Sequence, residues 1–280
     1  NDYNFTPSDR TTKFGTAEDV KEFKVYFDGS EQDKFHTYFG AFSTTYHFNK
    51  LNKLTFNLSA FKTNERETFD INGEYWLNND GDDESLGIGT YHEHARNRLN
   101  ASMVNVGLAG ESRFKSHHLK YGLLMKMEDV DETMREWEMR DSAGYSLPHT
   151  PDRLDLIYNM VSSNSEKSKH YELFLQDTYR KQIPEGELVL NYGARLTHWD
   201  WNKETLFSPR ATLAFTPTKN ENLVYRFSTG IYYQTPFYKE MRDTVTVNGN
   251  TTAFLNPDIK SQQSIHFVLG MEYKFKVNQR

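Results

Sequence analysis

The strongest constraint on the fold of this chain is a two-residue alternation of apolar and polar side chains that recurs along its length. Around residues 53–60, Leu54, Phe56 and Leu58 alternate with polar residues, and the same period returns near 187–200 and 262–276. A two-residue period is typical of β-strands that have one apolar face. It predicts an all-β protein. We place about nine strands, at 35–48, 53–65, 97–110, 116–130, 168–181, 187–200, 205–216, 222–235 and 262–276.

The length of these strands and the spacing between them favour a particular β architecture. Most reach about thirteen residues, which exceeds the roughly five or six of an ordinary globular strand. Short and long connections largely alternate, with 201–204 the short exception. The short turns fall at 49–52, 111–115, 182–186 and 217–221, and the long connections at 66–96, 131–167 and 236–261. Tight periplasmic turns and long extracellular loops are the layout of an antiparallel transmembrane β-barrel, of which these strands would form a part. We expect residues 1–34 to be a loop region.

One segment allows a second interpretation. Val130, Met134 and Trp137 are spaced four and three residues apart, which fits an amphipathic helix over Glu128–Arg140. The alternative is a strand that continues past the membrane into an extended hairpin.

Composition excludes several classes of protein. The 33 basic and 39 acidic residues leave a net charge of −6, which argues against a nucleic-acid partner. The chain has no cysteine, so disulfides and thiolate chemistry are excluded. It has no apolar run of the roughly 18 to 20 residues that a membrane-spanning helix needs. A barrel remains possible because its alternating strands barely register in the mean hydropathy, here −0.80.

Short motifs spread over the chain carry a family resemblance. They are NYGARL at 191–196, LFSPR at 206–210, LAF at 213–215, YYQTP at 232–236, LNPDIK at 255–260, EWEMRDSAGYSLP at 136–148 and YELFLQD at 171–177. In this order they resemble the TonB-dependent receptors of Gram-negative outer membranes, particularly the large nutrient receptors of Bacteroides-like bacteria.

That resemblance implies a barrel of about 22 strands that is closed by an N-terminal plug. Such a receptor binds a scarce solute outside, for example a siderophore, cobalamin, a glycan or a peptide, and releases it inward when the TonB complex pulls on the plug. Residues 1–280 would then be an internal barrel segment without the plug, with strands and loops over 35–276. The implied location is the outer membrane, with lipid, the TonB complex and the solute as partners.

Catalysis has little support in the sequence. Ser208 and Ser228 lack a Gly-x-Ser-x-Gly setting, and neither a phosphate-binding glycine loop nor a His-Glu-x-x-His motif occurs. We therefore expect no enzyme activity and no cofactor. Two rival interpretations are a soluble or surface-attached β-sandwich that binds carbohydrate, and a barrel enzyme.

Metal binding has two weak candidates. Asp80, Asp82, Asp83 and Glu84 surround a glycine and offer the hard oxygen ligands that Ca²⁺ prefers, but they do not match EF-hand spacing. His92 and His94 would share one face of a strand, whereas the adjacent His117 and His118 would point to opposite faces. We expect no metal at either place.

The candidate solute-binding residues are aromatic side chains that gather near the outer ends of adjacent predicted strands. Aromatic rings there suit stacking on a flat or sugar-like ligand, and ordinary girdle or loop packing is the alternative. The set is Trp199, Trp201, Tyr232, Tyr233, Phe237 and Tyr238.

The two faces of the predicted strands have different expected surroundings. Mid-strand residues of the apolar face are predicted to contact lipid: Phe56, Leu58, Leu190, Phe227, Phe267 and Leu269. The polar face is predicted to line the lumen through Arg195, Arg210, Arg226, Gln234 and Glu272. These groups would be costly in a sandwich core unless each were paired. The three arginines can pair with carboxylates or contact an anionic solute, and the sequence leaves both open.

Overall fold

The computed structural model describes residues 2–16, 19–81, 85–141 and 154–275. This part of the chain is almost entirely β-strand. The strands are β1 (Asp2–Thr16), β2 (Asp19–His47), β3 (Asn52–Asn79), β4 (Ser85–Phe114), β5 (His117–Asp141), β6 (Asp155–Ile183), β7 (Gly186–Trp199), β8 (Glu204–Pro217), β9 (Leu223–Gln234), β10 (Arg242–Val247), β11 (Asn250–Leu255) and β12 (Gln262–Tyr273). A short 3-10 helix, Tyr238–Met241, precedes β10.

The strands form one antiparallel meander. Each strand from β1 to β9 pairs with the next, and β12 pairs with β9. The hairpin β10–β11 attaches to the side of β6 through a parallel pairing of Thr251 with Met160. The described residues therefore build a single open sheet, as expected of a partial barrel, whereas a sandwich needs two sheets that face each other. None of the helical residues in these ranges makes a helix long and apolar enough to cross a membrane.

Strand register separates the side chains into an apolar face and a polar face. Leu213 of β8 pairs with Phe227 of β9, which pairs with Leu269 of β12, so these three lie side by side on one face. Phe56 of β3 and Leu108 of β4 are paired in the same way. The six residues that we predict to contact lipid all lie on this apolar face, and their contact with lipid stays a prediction.

The nine predicted strands are confirmed, as β2 to β9 and β12. The predicted tight turns are also confirmed, because each of the pairs β2–β3, β4–β5, β6–β7 and β8–β9 is joined by only a few residues. We call the end of the strands at which these turns lie the turn end, and the opposite end of the strands the loop end.

Two expectations about the loop end are wrong. Most of residues 1–34 belong to β1 and β2, and most of 66–96 and 131–167 continues β3 to β6 as ladder-paired strand. Of the two interpretations of Glu128–Arg140, the extended strand is confirmed, because these residues lie within β5. The reason is that both faces of these extensions carry polar residues, so the strands lack an apolar stripe while their backbone groups still pair across the ladder.

The strands therefore differ in height. β7, β8, β9 and β12 have 12 to 14 residues, whereas β2 to β6 have 25 to 30. At about 3.3 Å per residue, the longer strands extend roughly 50 Å beyond the shorter ones. The apolar band covers only the part next to the turn end, for example Leu119–Met127 on β5 and Tyr171–Tyr179 on β6. The extensions form a polar wall at the loop end.

Candidate functional site: the polar face of the sheet

The polar face carries all five side chains that we predict to line the lumen. Register places Arg195, Arg210 and Arg226 on the face opposite Leu213, together with Gln234 and Glu272. The pairs across neighbouring strands explain why charged groups are tolerated there. Arg195 Nη1 lies 3.3 Å from Glu172 Oε2 on β6, and Arg226 Nη2 lies 2.7 Å from Glu272 Oε2 on β12.

The connection between β9 and β12, residues 235–261, folds back onto this polar face. We call it the inner loop. Glu132 of β5 is 6% exposed and accepts hydrogen bonds from Tyr238 Oη at 3.2 Å and from Arg242 Nη1 at 3.2 and 3.3 Å. Asn164 of β6 donates to the carbonyl of Ala253 at 3.3 Å. The inner loop is thus attached to the polar wall by side chains of β5 and β6.

The inner loop is also attached to the β7–β8 turn. Trp201 Nε1 donates to the carbonyl of Asn256 at 3.4 Å, and Asn202 Nδ2 donates to the carbonyl of Ile259 at 2.8 Å. Glu204 accepts from both the amide and the hydroxyl of Ser261. These contacts hold the second half of the loop beside the loop end of β7 and β8.

Between the inner loop and the sheet lies a cavity of about 660 Å³, which we call the upper cavity. Its wall combines aromatic rings with charged groups of both signs. The polar-face residues include Lys126, Glu128, Glu166, His170, Arg195 and Trp199, and the inner loop contributes Phe237, Tyr238 and Met241. An apolar ring and hydrogen-bonding groups of both kinds are therefore available to a bound solute.

Two glutamates of the upper cavity, both beyond the apolar band, have pKa values that their surroundings shift in opposite directions. Burial alone would raise the pKa of Glu128, but hydrogen bonds from His170 and Lys126, each 2.9 Å long, outweigh it and lower that pKa. Burial raises the pKa of Glu166, and the nearby negative charge of Glu128 adds to the shift. Glu128 thus favours its ionised form, and Glu166 its protonated form, more than a free glutamate does.

The six aromatic candidates do not form one cluster. Trp199 is 2% exposed, its ring stacks on His170 at 5.2 Å, and no acceptor among the described residues contacts its Nε1 atom. Phe237, which is 66% exposed, and Tyr238 lie on the inner loop and line the same cavity as Trp199. Tyr238 has a raised pKa, because it is buried and lies against the negative charge of Glu132.

Of the other three aromatic candidates, Tyr233 also lines the upper cavity, whereas Tyr232 and Trp201 do not. Tyr232 lies on the polar face under the guanidinium of Arg210, whereas its neighbour Tyr233 lies on the opposite face and accepts a 2.6 Å hydrogen bond from Gln263. Trp201 holds the inner loop, as described above. Whether any of the six contacts a solute stays a prediction.

The metal candidates have protein partners where they are described. Asp80 lies in the β3–β4 turn and pairs with Lys13, while Asp82, Asp83 and Glu84 lie outside the described residues. His92 and His94 both contact the ring of Trp137, and His94 also pairs with Asp70.

The adjacent histidines point to opposite faces and pair with different acids, His117 with Asp177 and His118 with Glu111. A further group, Glu31, Asp33 and Glu67, has carboxylate oxygens within 4.8 Å of one another, close enough to hold a cation. Asp33 and Glu67 line a cavity that Lys239 and Arg242 of the inner loop also line, so positive charge lies near two members of this group.

The sequence prediction missed Glu132, Glu166 and His170. The signal that could have found two of them is the polar series Glu166, Ser168, His170, which continues the two-residue period on the polar face of β6. Glu132 carries no such signal, because its partner Arg242 is 110 residues away in the chain.

Comparison with known proteins identifies the family of this two-faced sheet. The family model described as TonB dependent receptor-like, beta-barrel matches residues 1–279. The chain belongs to the TonB-dependent receptor family. Members of this family are outer-membrane receptors and transporters rather than enzymes. No curated protein matches the receptor barrel at a significant level.

Proposed function

We propose that this receptor barrel resides in the outer membrane and takes part in the energised uptake of a scarce solute, without covalent chemistry. The solute would be a siderophore, cobalamin, a glycan or a peptide. The TonB complex would supply the energy through a plug domain. The motifs quoted above support the further proposal that the receptor belongs to the nutrient-receptor group of Bacteroides-like bacteria.

The observation that carries this proposal is the two-faced sheet in a chain of this family. A continuous apolar face suits contact with lipid, whereas the opposite face holds paired charges and an upper cavity large enough for a small solute. A polar interior beside an apolar exterior is the arrangement of a transmembrane β-barrel.

We place the solute-binding site in the upper cavity, at Trp199, Phe237 and Tyr238. Trp199 has a buried indole N–H that lacks an acceptor among the described residues, and leaving such a donor unpaired costs roughly 1 to 3 kcal/mol. A solute oxygen that accepts this hydrogen bond recovers that cost. Phe237 offers an exposed ring at the edge of the same cavity.

Uptake assays in the native host test this function. We expect deletion of the receptor gene to abolish uptake of one of the four solute classes when that solute limits growth, and deletion of TonB to abolish the same uptake. Uptake that persists without TonB would show a passive pore and contradict the proposal.

Binding to the purified receptor tests the site. Replacing Trp199 with Ala removes both the ring and the free donor, and we expect solute affinity to fall at least about tenfold, which corresponds to 1.4 kcal/mol. The control is Trp137→Ala, which removes a tryptophan from the opposite face of the polar wall. Equal effects of the two substitutions would contradict a site in the upper cavity.

A further inference from the structure

Arg210 differs from the two other arginines of the polar face. Arg195 and Arg226 each pair with a carboxylate on a neighbouring strand, whereas no carboxylate of the described residues pairs with Arg210. Its guanidinium instead lies 4.3 Å from the centre of the Tyr232 ring. The ring fixes the position of this charge without neutralising it.

The neighbours of Arg210 leave space around the guanidinium. Its register partners on β7 and β9 are Gly193 and Gly230, so neither adjacent strand places a side chain beside it on the polar face. A Cβ atom at Gly230 would lie 2.9 Å from Arg210 Cγ. Gly230 therefore leaves the space that the arginine side chain occupies. The row continues to Gln176 on β6 and His266 on β12, which carry hydrogen-bonding side chains.

This row lines a second cavity, of about 360 Å³, near the middle of β7 and β8. Two arginines line it and no carboxylate does, and Glu172 already neutralises Arg195. The cavity therefore has one uncompensated positive charge, surrounded by amide and hydroxyl groups such as those of Asn191 and Thr212.

We propose that Arg210 is the anchor of an anion-binding site that takes a carboxylate or a phosphate group. A guanidinium forks onto two oxygens of such a group, and this attraction is stronger in a partly dry lumen than in bulk water. The proposal rests on the proposed function in one respect: the polar face must border the path of the solute. We assign the anion to the solute. An acidic side chain from elsewhere in the receptor offers the same chemistry, and the experiment separates the two sources.

Anion binding to the purified receptor in detergent micelles tests this site. The probes are citrate and inorganic phosphate, and the readouts are calorimetric affinity and the melting temperature. We expect Arg210→Gln to weaken binding of the probes at least tenfold. Arg210→Lys keeps the charge and should retain phosphate better than citrate, because a lysine cannot fork onto a carboxylate. The control is Arg180→Gln, which removes one positive charge from the same face near the turn end, where Arg180 is 3.5 Å from Glu187.

A second pair of variants tests the site without changing its charge. Gly230→Ala places a methyl group against Arg210 Cγ and should weaken anion binding several-fold. Gly270→Ala, on the polar face of β12, is the matched control because its Cβ would meet no atom within 4 Å. Equal anion binding in these two variants would contradict the role of Gly230 and overturn the proposed geometry.

The melting temperature of the receptor without any probe helps to identify the source of the anion. If Arg210→Gln lowers the melting temperature without any probe, and the unsubstituted receptor does not respond to probes, Arg210 stabilises the receptor through contacts of its own and the assignment of the anion to the solute is overturned. If Arg210→Gln affects neither the melting temperature nor probe binding, the proposal is overturned. Both measurements are independent of TonB and of transport, so a failure of the uptake assays leaves this result unaffected.

Discussion

Replacing Glu132 with alanine should detach the inner loop from the polar wall. The Glu132 carboxylate accepts three hydrogen bonds of 3.2 to 3.3 Å from the loop, two from Arg242 and one from Tyr238. Without its carboxylate, both donors lose their acceptor. We expect the loop to open while the sheet behind it stays paired, since the ladder between β5 and β6 does not depend on this side chain.

The size of the expected loss in stability follows from the burial of the Glu132–Arg242 ion pair. Removing one partner of a buried ion pair costs about 3 to 5 kcal/mol. The side chain of Arg242 is 21% exposed and also contacts Met134 Sδ at 2.9 Å, so the cost lies near the lower value, about 3 kcal/mol. At 1.4 kcal/mol for each factor of ten, the open population of the loop should rise roughly 100-fold.

Hydrogen exchange measured by mass spectrometry on the receptor in micelles reports this opening. Peptides that cover residues 238–255 should exchange faster in Glu132→Ala, while those of β7 and β8 should not change. The control is Glu136→Ala, on the same strand and face, because Glu136 bonds Asn97 and Tyr158 rather than the inner loop. Unchanged exchange in 238–255, or an equal rise in both variants, would refute the reasoning.

Three further predictions concern the membrane band, pH and calcium. Phe227→Arg on the apolar face should destabilise the barrel in vesicles by about 2 to 4 kcal/mol in urea titrations, whereas Ser228→Arg on the polar face should cost much less; equal costs would show that the apolar face does not contact lipid. The raised pKa of Glu166 contributes stability at low pH that is lost as pH rises through the folded-state pKa. Glu166→Gln should therefore stabilise the receptor at neutral pH but not at acidic pH. The lowered pKa of Glu128 contributes stability that is lost only as pH falls, so Glu128→Gln should destabilise the receptor at neutral pH. The acidic run 80–84 should bind Ca²⁺ weakly or not at all, and micromolar affinity in calorimetry, lost when the run is neutralised, would contradict this.

The apolar band was predictable because it combines two independent signals. A strand such as β7 alternates apolar with polar or small side chains from Leu190 to Thr197, and its connection to β6 is a tight turn with Pro184 and Gly186. Register across a sheet is determined by which face is apolar, so the assignment of Arg195, Arg210 and Arg226 to one face follows from the same pattern.

The polar wall could not be predicted from alternation and tight turns. Beyond the band, Asp70 faces His94 across the β3–β4 ladder, and both lie on the same face as the apolar band. With polar residues on both faces, the hydrophobic period disappears although the backbone pairing continues. The dipeptides Asp28-Gly29 and Asn72-Gly73 add to the difficulty, because they are common turn signals and here lie within β2 and β3.

The aromatic candidates show that residues close together in sequence need not lie close together in space. Tyr232 and Tyr233 are adjacent, and a strand sends adjacent side chains to opposite faces, so a two-residue period already indicates that they cannot share a site. The inner loop is a different case. Its return to the polar wall depends on contacts of Glu132 with Tyr238 and Arg242, which lie 106 and 110 residues further along the chain, and no local pattern encodes these contacts.

The charges of the polar face are arranged differently at the two heights of the proposed lumen. At the loop end, Glu128 and Glu166 line the upper cavity, and Glu166 has no cationic partner among the described residues. Near the middle of the sheet the uncompensated charge is positive, at Arg210. Arg195 and Arg226, by contrast, each pair with a carboxylate on a neighbouring strand. A solute that moves inward would thus meet hydrogen-bonding acids first and a fixed guanidinium second. A solute with an anionic group at one end and hydroxyl or amine groups at the other satisfies both, because its anionic end advances toward Arg210 while its donors remain beside the glutamates.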